Sequence, residues 1–327
     1  MRRREFLALI GGAVAWQPAG WAQQPQKLAR LGFLSSASPL SSIYKKNFDT
    51  LRAGLRELGY VEGQNLIIES RWAEDQYDRL PELAAELVRL DVDILITHGT
   101  PGTLAAKSAT TTIPIVMAVV GDAIVTGVVA SLSRPGGNIT GSTFFNPEIS
   151  AKRLDLLREV FRGANRFGVL VNPDNPITPP IIQAMESSAR EAKIELEVFE
   201  AQRPTDFENA FEAMARRRVD AVAVNEDPMF IANAALIGRI ASRRRIALIG
   251  FNEIAEAGGI MAYGIVLPEM FRQAARIAHK LLLGAKPGEI PVEQATRFNI
   301  LINLKAATAL GIEIPPTLLA RADEVIE

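Results

Sequence analysis

Short continuous apolar runs alternate with longer amphipathic stretches along most of this chain. Arg30-Leu31-Gly32-Phe33-Leu34, Val92-Asp93-Ile94-Leu95-Ile96 and Thr112-Ile113-Pro114-Ile115-Val116 are of strand length and show little alternation. Such runs predict strands buried on both faces of a parallel sheet. Between them, Phe48, Leu51, Leu55 and Leu58 fall at helical spacing and Gly59 closes the turn; Leu80, Leu83, Leu87 and Leu90 form a second stripe. The same texture returns in the second half. Leu154, Leu157 and Phe161 open it, and Phe207, Ala210, Phe211 and Met214 follow the capping pair Thr205-Asp206.

The two halves also resemble each other residue by residue. Arg166-Phe167-Gly168-Val169-Leu170 parallels the first run, Val219-Asp220-Ala221-Val222-Ala223 the second, and Arg245-Ile246-Ala247-Leu248-Ile249 the third, in the same order and at similar spacing. Three matches in order predict two lobes of one plan. Each lobe reads β-α-β-α-β-α-β, and right-handed crossovers then give an open, doubly wound parallel sheet. The seam falls at residues 141–148, after the turn Arg134-Pro135-Gly136-Gly137-Asn138. Beyond Gly258 the chain reads as a strand over 260–263, a long helix over 269–283, a Gly/Pro loop over 284–291, a strand over 298–304, a helix over 305–311 and a polar end.

The first residues follow a different pattern. Arg2, Arg3 and Arg4 precede an apolar stretch over 6–16, and Gly20-Trp21-Ala22 supplies small residues. That order predicts a secretory signal cleaved after Ala22. The stretch is shorter than the roughly 20 apolar residues a spanning helix needs. Arg3-Arg4-Glu5-Phe6-Leu7 fits a twin-arginine export signal, and a basic start on a general secretory signal is the alternative. The chain contains no cysteine. The expectation is therefore a periplasmic protein that is neither a lipoprotein nor disulfide-bonded. With 48% hydrophobic and 22% charged residues and a net charge of −1, the chain is globular and carries no general field for nucleic acid or anionic lipid. Its length suits two domains. The tightest basic run, Arg243-Arg244-Arg245, reads as a solvated helix end.

Ligands of open α/β sheets bind beyond the carboxyl ends of the strands. In the first half those ends carry Ser35-Ser36, His98-Gly99-Thr100-Pro101 and Gly121-Asp122, and the seam adds Phe144-Phe145-Asn146. In the second half they carry Asn172-Pro173-Asp174-Asn175, Asn225-Glu226-Asp227 and Phe251-Asn252-Glu253, with Tyr263-Gly264 from the tail strand. Hydroxyls and backbone amides at the starts of helices after Ser35 and Thr100 favour a carboxylate. Asp122, Glu226 and Asp227 suit an ammonium; Phe144, Phe145, Phe251 and Tyr263 suit apolar walls, and Trp72 the rim. Each of these residues also has a plainer reading. Ser, Thr and Asn after strands are common turn and cap residues, Phe145 and Phe251 equally suit a core, Glu253 suits a helix start, and a lone His98 is more often structural than a ligand contact.

The usual catalytic and cofactor motifs are missing. His98 and His279 are the only histidines and have no companions at metal spacing. No phosphate loop, dinucleotide fingerprint or G-x-S-x-G elbow appears. Asn172-Pro173-Asp174-Asn175-Pro176 lacks the spacing and closing glutamate of a calcium loop. No cofactor is expected.

The runs LRELGYVEGQNLIIESRWAEDQYDRLPELAAELV, TTIPIVMAVVGD, SLSRPGGNITG, AKRLDLLREV, EAGGIMAYG and INLKAATALGIEIPPTLLARADEVIE resemble the substrate-binding proteins of bacterial ABC transporters, from about Lys27 to Glu327. The resemblance implies the type I periplasmic binding fold, with two α/β lobes joined by three crossover segments. It places residues 28–143 plus 262–286 in the N-terminal lobe and 144–261 plus 287–327 in the C-terminal lobe. Family members are associated with amino acids, including aromatic ones. The resemblance implies ligand-facing positions at Ser35, Ser36, Gly99, Thr100, Asp122, Phe144, Phe145, Asn146, Asn172, Asp227, Tyr263 and Gly264; Phe251 joins them from the strand-end reading. Gly121-Asp122-Ala123, where relatives often carry Gly-Asp-Pro, and His98, where small or apolar residues are common, depart from the pattern.

Three functions follow as expectations. The first is a monomeric capture protein that closes on a small amino-acid-like or carboxylate-bearing ligand and delivers it to an ABC transporter membrane permease. The second is a periplasmic sensor of the same fold docking to a membrane receptor. The third is an exported α/β enzyme using Asp122 or Glu226 as a base.

Overall fold

The computed structural model describes residues 28–327; the export signal read from the sequence lies outside them. The first lobe runs β1 (Ala29–Ser35), α1 (Ser42–Glu57), β2 (Leu66–Trp72), α2 (Leu80–Arg89), β3 (Ile94–Thr97), α3 (Thr100–Ala109), β4 (Ile115–Gly121) and β5 (Ile139–Phe144). The chain crosses once to α4 (Asn146–Val160), β6 (Arg166–Val171), α5 (Thr178–Ala192), β7 (Glu195–Glu200), α6 (Phe207–Arg217), β8 (Ala221–Val224), α7 (Pro228–Ala232), α8 (Ala234–Arg243), β9 (Ala247–Gly250), α9 (Asn252–Glu256) and β10 (Met261–Ile265). It returns as α10 (Leu267–Leu282) and β11 (Glu293–Gln294). A third crossing leads to β12 (Phe298–Asn303), α11 (Leu304–Leu310), α12 (Pro316–Leu319) and β13 (Glu324–Ile326).

The sheet orders are β11-β5-β4-β3-β1-β2 and β13-β12-β10-β9-β8-β6-β7. The sequence repeat is thus a repeat of topology, with β1, β3 and β4 occupying the places that β6, β8 and β9 take in the other sheet. Its recurring Arg and Asp have a shared task. The Asp93 amide donates to Arg30 O at 2.8 Å while Asp93 Oδ2 accepts from Arg30 N at 2.8 Å. Asp220 and Arg166 repeat the exchange at 2.8 and 3.1 Å. Each pair ties the entry of one inner strand to its neighbour. The one antiparallel pairing among the described strands is β10 with β12, where the chain turns back along the sheet edge.

One expectation needs correction. The sequence reading gave 262–286 to the first lobe and 287–327 to the second. β10 pairs with β9 and β12, so residues 262–265 belong to the second sheet. β11 pairs with β5, Thr140 Oγ1 donates to Ile290 O at 2.9 Å, and Val292 N donates to Leu132 O at 2.7 Å. Residues 287–295 therefore stay with the first lobe. A two-residue strand carries no periodicity from which to place it. β4 and β5 are joined by a loop over 122–138.

α10 belongs to the first lobe because of what it buries. Its Phe271, Ala274, Ala275 and Ala278 are excluded from solvent, as are Leu51 and Leu55 of the facing α1. A fully buried Leu or Phe contributes roughly 1.5–3 kcal/mol, so this apolar seam holds the returning segment to the first lobe. The second lobe has its own core around Leu157, Phe167, Val169 and Met185. No helix among the described residues is long and apolar enough to cross a membrane.

β4 and β5 slip register between Met117 and Val120. Gly141 sits opposite this bulge with φ 139°, and a Cβ there would lie 2.1 Å from Met117 O. Gly141→Ala is expected to destabilise the protein by about 2 kcal/mol or more, since backbone strain and overpacking add. Urea unfolding tests this; an unchanged midpoint contradicts the packing.

Candidate ligand-binding site

The carboxyl ends of both sheets face each other across a chamber with a cavity volume of about 30 Å³. The first lobe lines it with Tyr44, His98, Gly99, Thr100, Val119, Gly121 and Phe144; the second adds Asn146, Asn175, Ile177 and Ile231. Glu226, Asp227 and Pro228 complete the second wall, and Ile265 and Leu267 stand at the second crossing.

Asp227 is the most heavily engaged carboxylate. It follows β8 and caps α7, accepting from Met229 N at 2.9 Å. It also accepts from Asn175 Nδ2 at 2.9 Å and Asn172 Nδ2 at 3.4 Å in its own lobe, and from the Tyr77 hydroxyl of the opposite lobe at 2.8 Å. All four donors are neutral. Burial pushes its carboxyl above the ordinary range, and the bonds from Asn175, Tyr77, Asn172 and Met229 oppose that rise. Of the strand-end segment 172–175, Asn175 lines the chamber. Asn172 is turned to the loop, accepting from Asp174 N at 3.0 Å and, through its carbonyl, from Thr178 Oγ1 at 2.6 Å.

Glu226 is a different kind of acid. Arg153, fully buried on α4, holds it in a two-pronged ion pair, with Nη1 to Oε2 at 2.7 Å and Nη2 to Oε1. The same guanidinium donates to Tyr263 O from Nε at 2.9 Å and Nη2 at 2.7 Å, and to Val224 O at 3.2 Å. The pair joins α4, β8 and β10 into one plate behind the chamber. Tyr263 contributes its carbonyl to this plate, while its ring packs 5.9 Å from Phe298. A Cβ on Gly264 would lie 3.3 Å from both Arg153 Nη2 and Glu226 Oε1. Tyr263 and Gly264 thus support the floor and do not line the chamber. Phe251 is buried at the start of α9 and does not line it either.

Asp122 also departs from its predicted role. Its φ is 42°, and its Oδ1 accepts from Ile124 N at 3.2 Å and Val125 N at 3.0 Å. The carboxylate closes the β4–β5 loop, and Gly121 alone reaches the chamber. Phe144 and Asn146 reach it from the first crossing, while Phe145 between them is partly exposed. Asn146 Oδ1 accepts from Ser150 Oγ at 3.2 Å.

Ser35 sits one layer back. Its Oγ lies 2.7 Å from His98 Nε2, and the imidazole stacks on Tyr44 with centroids 4.5 Å apart. Burial pushes His98 down to about 3, so the ring is neutral throughout the physiological range. Ser36 is buried, and its Oγ has no protein partner. Gly99 takes φ 73° beside Pro228, and Thr100 begins α3 with its first-turn amides toward the cleft end of the sheet. Tyr44, Tyr77 and Arg153 were not legible as site residues, because each sits within an ordinary amphipathic stretch.

Two outcomes test this geometry. Arg153→Met leaves Glu226 buried without its partner and should cost about 3–5 kcal/mol. Adding Glu226→Gln should recover part of that loss in urea unfolding; a double variant no more stable than the single one contradicts the pairing. The second concerns pH. Burial raises Asp75 to about 6 and Glu253 to about 7, above their unfolded values near 4. The folded state therefore binds more protons than the unfolded chain between about pH 4 and 7, and this contribution to stability, complete below 4, is lost as pH rises through 6 to 7. Melting of Asp75→Asn/Glu253→Gln should show a flatter pH dependence in that window; an identical slope contradicts it.

The chain matches the family described as ABC transporter substrate binding protein over residues 41–326. It is 25% identical to a tyrosine-binding protein of Clostridioides difficile (strain R20291) over 261 residues, covering 79% of this chain and 74% of that protein. Among solved structures it is similar to a conserved domain protein of Vibrio cholerae O1 biovar El Tor strain N16961, with a TM-score of 0.85 and 27% identity over 91% of this chain and 100% of the other. It also superposes on a Streptococcus pneumoniae ABC domain in complex with L-Trp, with a TM-score of 0.83 and 24% identity over 91% and 99%. Two mostly parallel sheets, three crossings and a chamber between the lobes agree with these matches, and the chain belongs to the ABC transporter substrate-binding protein family with the type I periplasmic binding fold.

Proposed function

We propose that this protein is the exported, periplasmic capture component of an ABC-type uptake system, closing on an amino acid with an apolar side chain and presenting it to a membrane permease. The observation that carries the reading is Asp227. It lines the chamber, is buried, and has only neutral protein partners. A buried carboxylate without a cation is costly, and a ligand ammonium supplies the missing charge. The first turn of α3 at Thr100 offers backbone amides and a hydroxyl to a ligand carboxylate. Val119, Phe144, Ile177, Ile231 and Leu267 offer apolar walls to the side chain. The named tyrosine-binding relative and the L-Trp complex support an amino acid as the ligand class. The basic, apolar and small-residue order of residues 1–22 supports export. Family membership supports the permease partner.

Thermal melting against amino acids, aromatic acids and sugars tests the reading. A ligand at about 100 times its Kd stabilises the fold by about 2.7 kcal/mol. One or more amino acids should raise the melting temperature and sugars should not; a response to sugars alone overturns the reading. Asp227→Asn keeps the α7 cap but removes the charge. It should weaken amino-acid binding roughly ten- to a hundred-fold, as expected for losing a charged hydrogen bond. Unchanged affinity removes Asp227 from the site.

A further inference from the structure

We propose that residues 73–77 of the first lobe form a clamp that grips α7 of the second lobe at both ends, and that Tyr77, which does not line the chamber, thereby determines how long a ligand is retained. The inference goes beyond the proposed function by assigning closure to a particular contact, and it rests on that reading only for the identity of what is retained.

At the N-terminal end of α7, the Tyr77 hydroxyl enters the cap itself. It donates to Asp227 Oδ1 at 2.8 Å and accepts from Met229 N at 3.3 Å, while Asp227 accepts from the same amide at 2.9 Å. At the C-terminal end, Asn233 donates from Nδ2 to Asp75 Oδ2 at 3.1 Å and to Met229 O at 2.8 Å. Between these points Pro228 meets Gly99, where a Cβ would lie 2.6 Å from Pro228 Cγ. A five-residue helix is thus held from the other lobe at its start, its first residue and its end.

The clamp is assembled by the first lobe alone. Glu74 and Asp75 both take left-handed backbone conformations, with φ 55° and 64°. Non-glycine residues rarely do so unless their surroundings hold them there. Here Ala73 N donates to Ser35 O at 2.8 Å, Glu74 N to Ala37 O at 3.3 Å and Asp75 N to Ser36 O at 2.9 Å. The end of β1 fixes the loop in the shape that α7 meets. The groups facing Asp75 are Asp227 and Glu74, which disfavour its charge, and Asn233, which favours it.

Asp227 joins the clamp to the ligand. Closing the lobes buries this carboxylate, which is unfavourable for an uncompensated charge. A ligand ammonium compensates it, and Tyr77 adds a donor that exists only when the lobes are together. Ligand and clamp therefore favour the same closed state through one side chain, as a ligand must if it is to shift a two-state equilibrium.

The chain has no cysteine, which permits a direct test in the full protein without ligand. Asp75→Cys/Asn233→Cys places two thiols where the side chains now meet, and dibromobimane fluoresces on bridging thiols a few ångström apart. The expected result is bridging, with a smaller scattering radius for the bridged protein. In a Tyr77→Phe background the bridging rate should fall about tenfold or more, because the ring is kept and only the hydroxyl is lost. Absence of bridging, or an equal rate in a Tyr77→Phe background whose melting shows it folded, overturns the clamp. Failure of every amino acid to bind would overturn the proposed ligand class and leave the bridging result standing.

Discussion

A carboxylate buried between two domains is the constraint around which this molecule is arranged. Asp227 sits at the end of β8 with solvent excluded, and it accepts hydrogen bonds from Asn172, Asn175 and Met229 on one side and Tyr77 on the other. Four neutral donors satisfy its oxygens without cancelling its charge. The same residue caps α7, lines the chamber and contacts the opposite lobe. Local structure, the chamber lining and the contact between lobes therefore meet at one side chain.

The second acid of the chamber shows the contrast. Glu226 is adjacent in sequence, yet Arg153 neutralises it and ties it to the Tyr263 and Val224 carbonyls. A bidentate pair with its remaining donors satisfied is rigid, and it braces α4 against β8 and β10. These elements flank the first and second crossings, at residues 144–146 and 265–267. The two lobes are joined by three short segments. Two separate cores joined by short crossings suit hinge closure.

Much of the fold was legible because it depends on buried periodicity. Continuous apolar runs marked the inner strands, and the repeated Arg and Val-Asp positions proved to be a paired backbone-to-carboxylate exchange in both sheets. The boundaries were less legible. β11 is two residues long and is placed by hydrogen bonds to β5, which no local pattern records. Strand ends pointed to the loops around the chamber, but not every side chain on them reaches it. Gly99, Thr100, Phe144, Asn146 and Asp227 line the chamber. Asp122 spends its side chain on its own loop, Asn172 divides its amide between its loop and Asp227, Ser35 and Ser36 lie one layer back, and Tyr263, Gly264 and Phe251 support the floor. A carboxylate after a strand looks the same in sequence whether it caps a loop or faces a cleft. Tyr44 and Arg153 lie on amphipathic helices where an aromatic or a cation passes for surface chemistry, and only packing reveals that Arg153 is fully buried.

The central claim is that Asp227 receives a ligand's ammonium inside the closed chamber. Calorimetric titration with L-leucine, L-tyrosine and L-tryptophan, each beside the analogue lacking only the amino group, tests it most directly. The account predicts that at least one amino acid binds and that its des-amino partner binds at least tenfold more weakly. Equal affinity for the two members of a pair would show that the buried carboxylate does not recognise an ammonium, and would contradict the account.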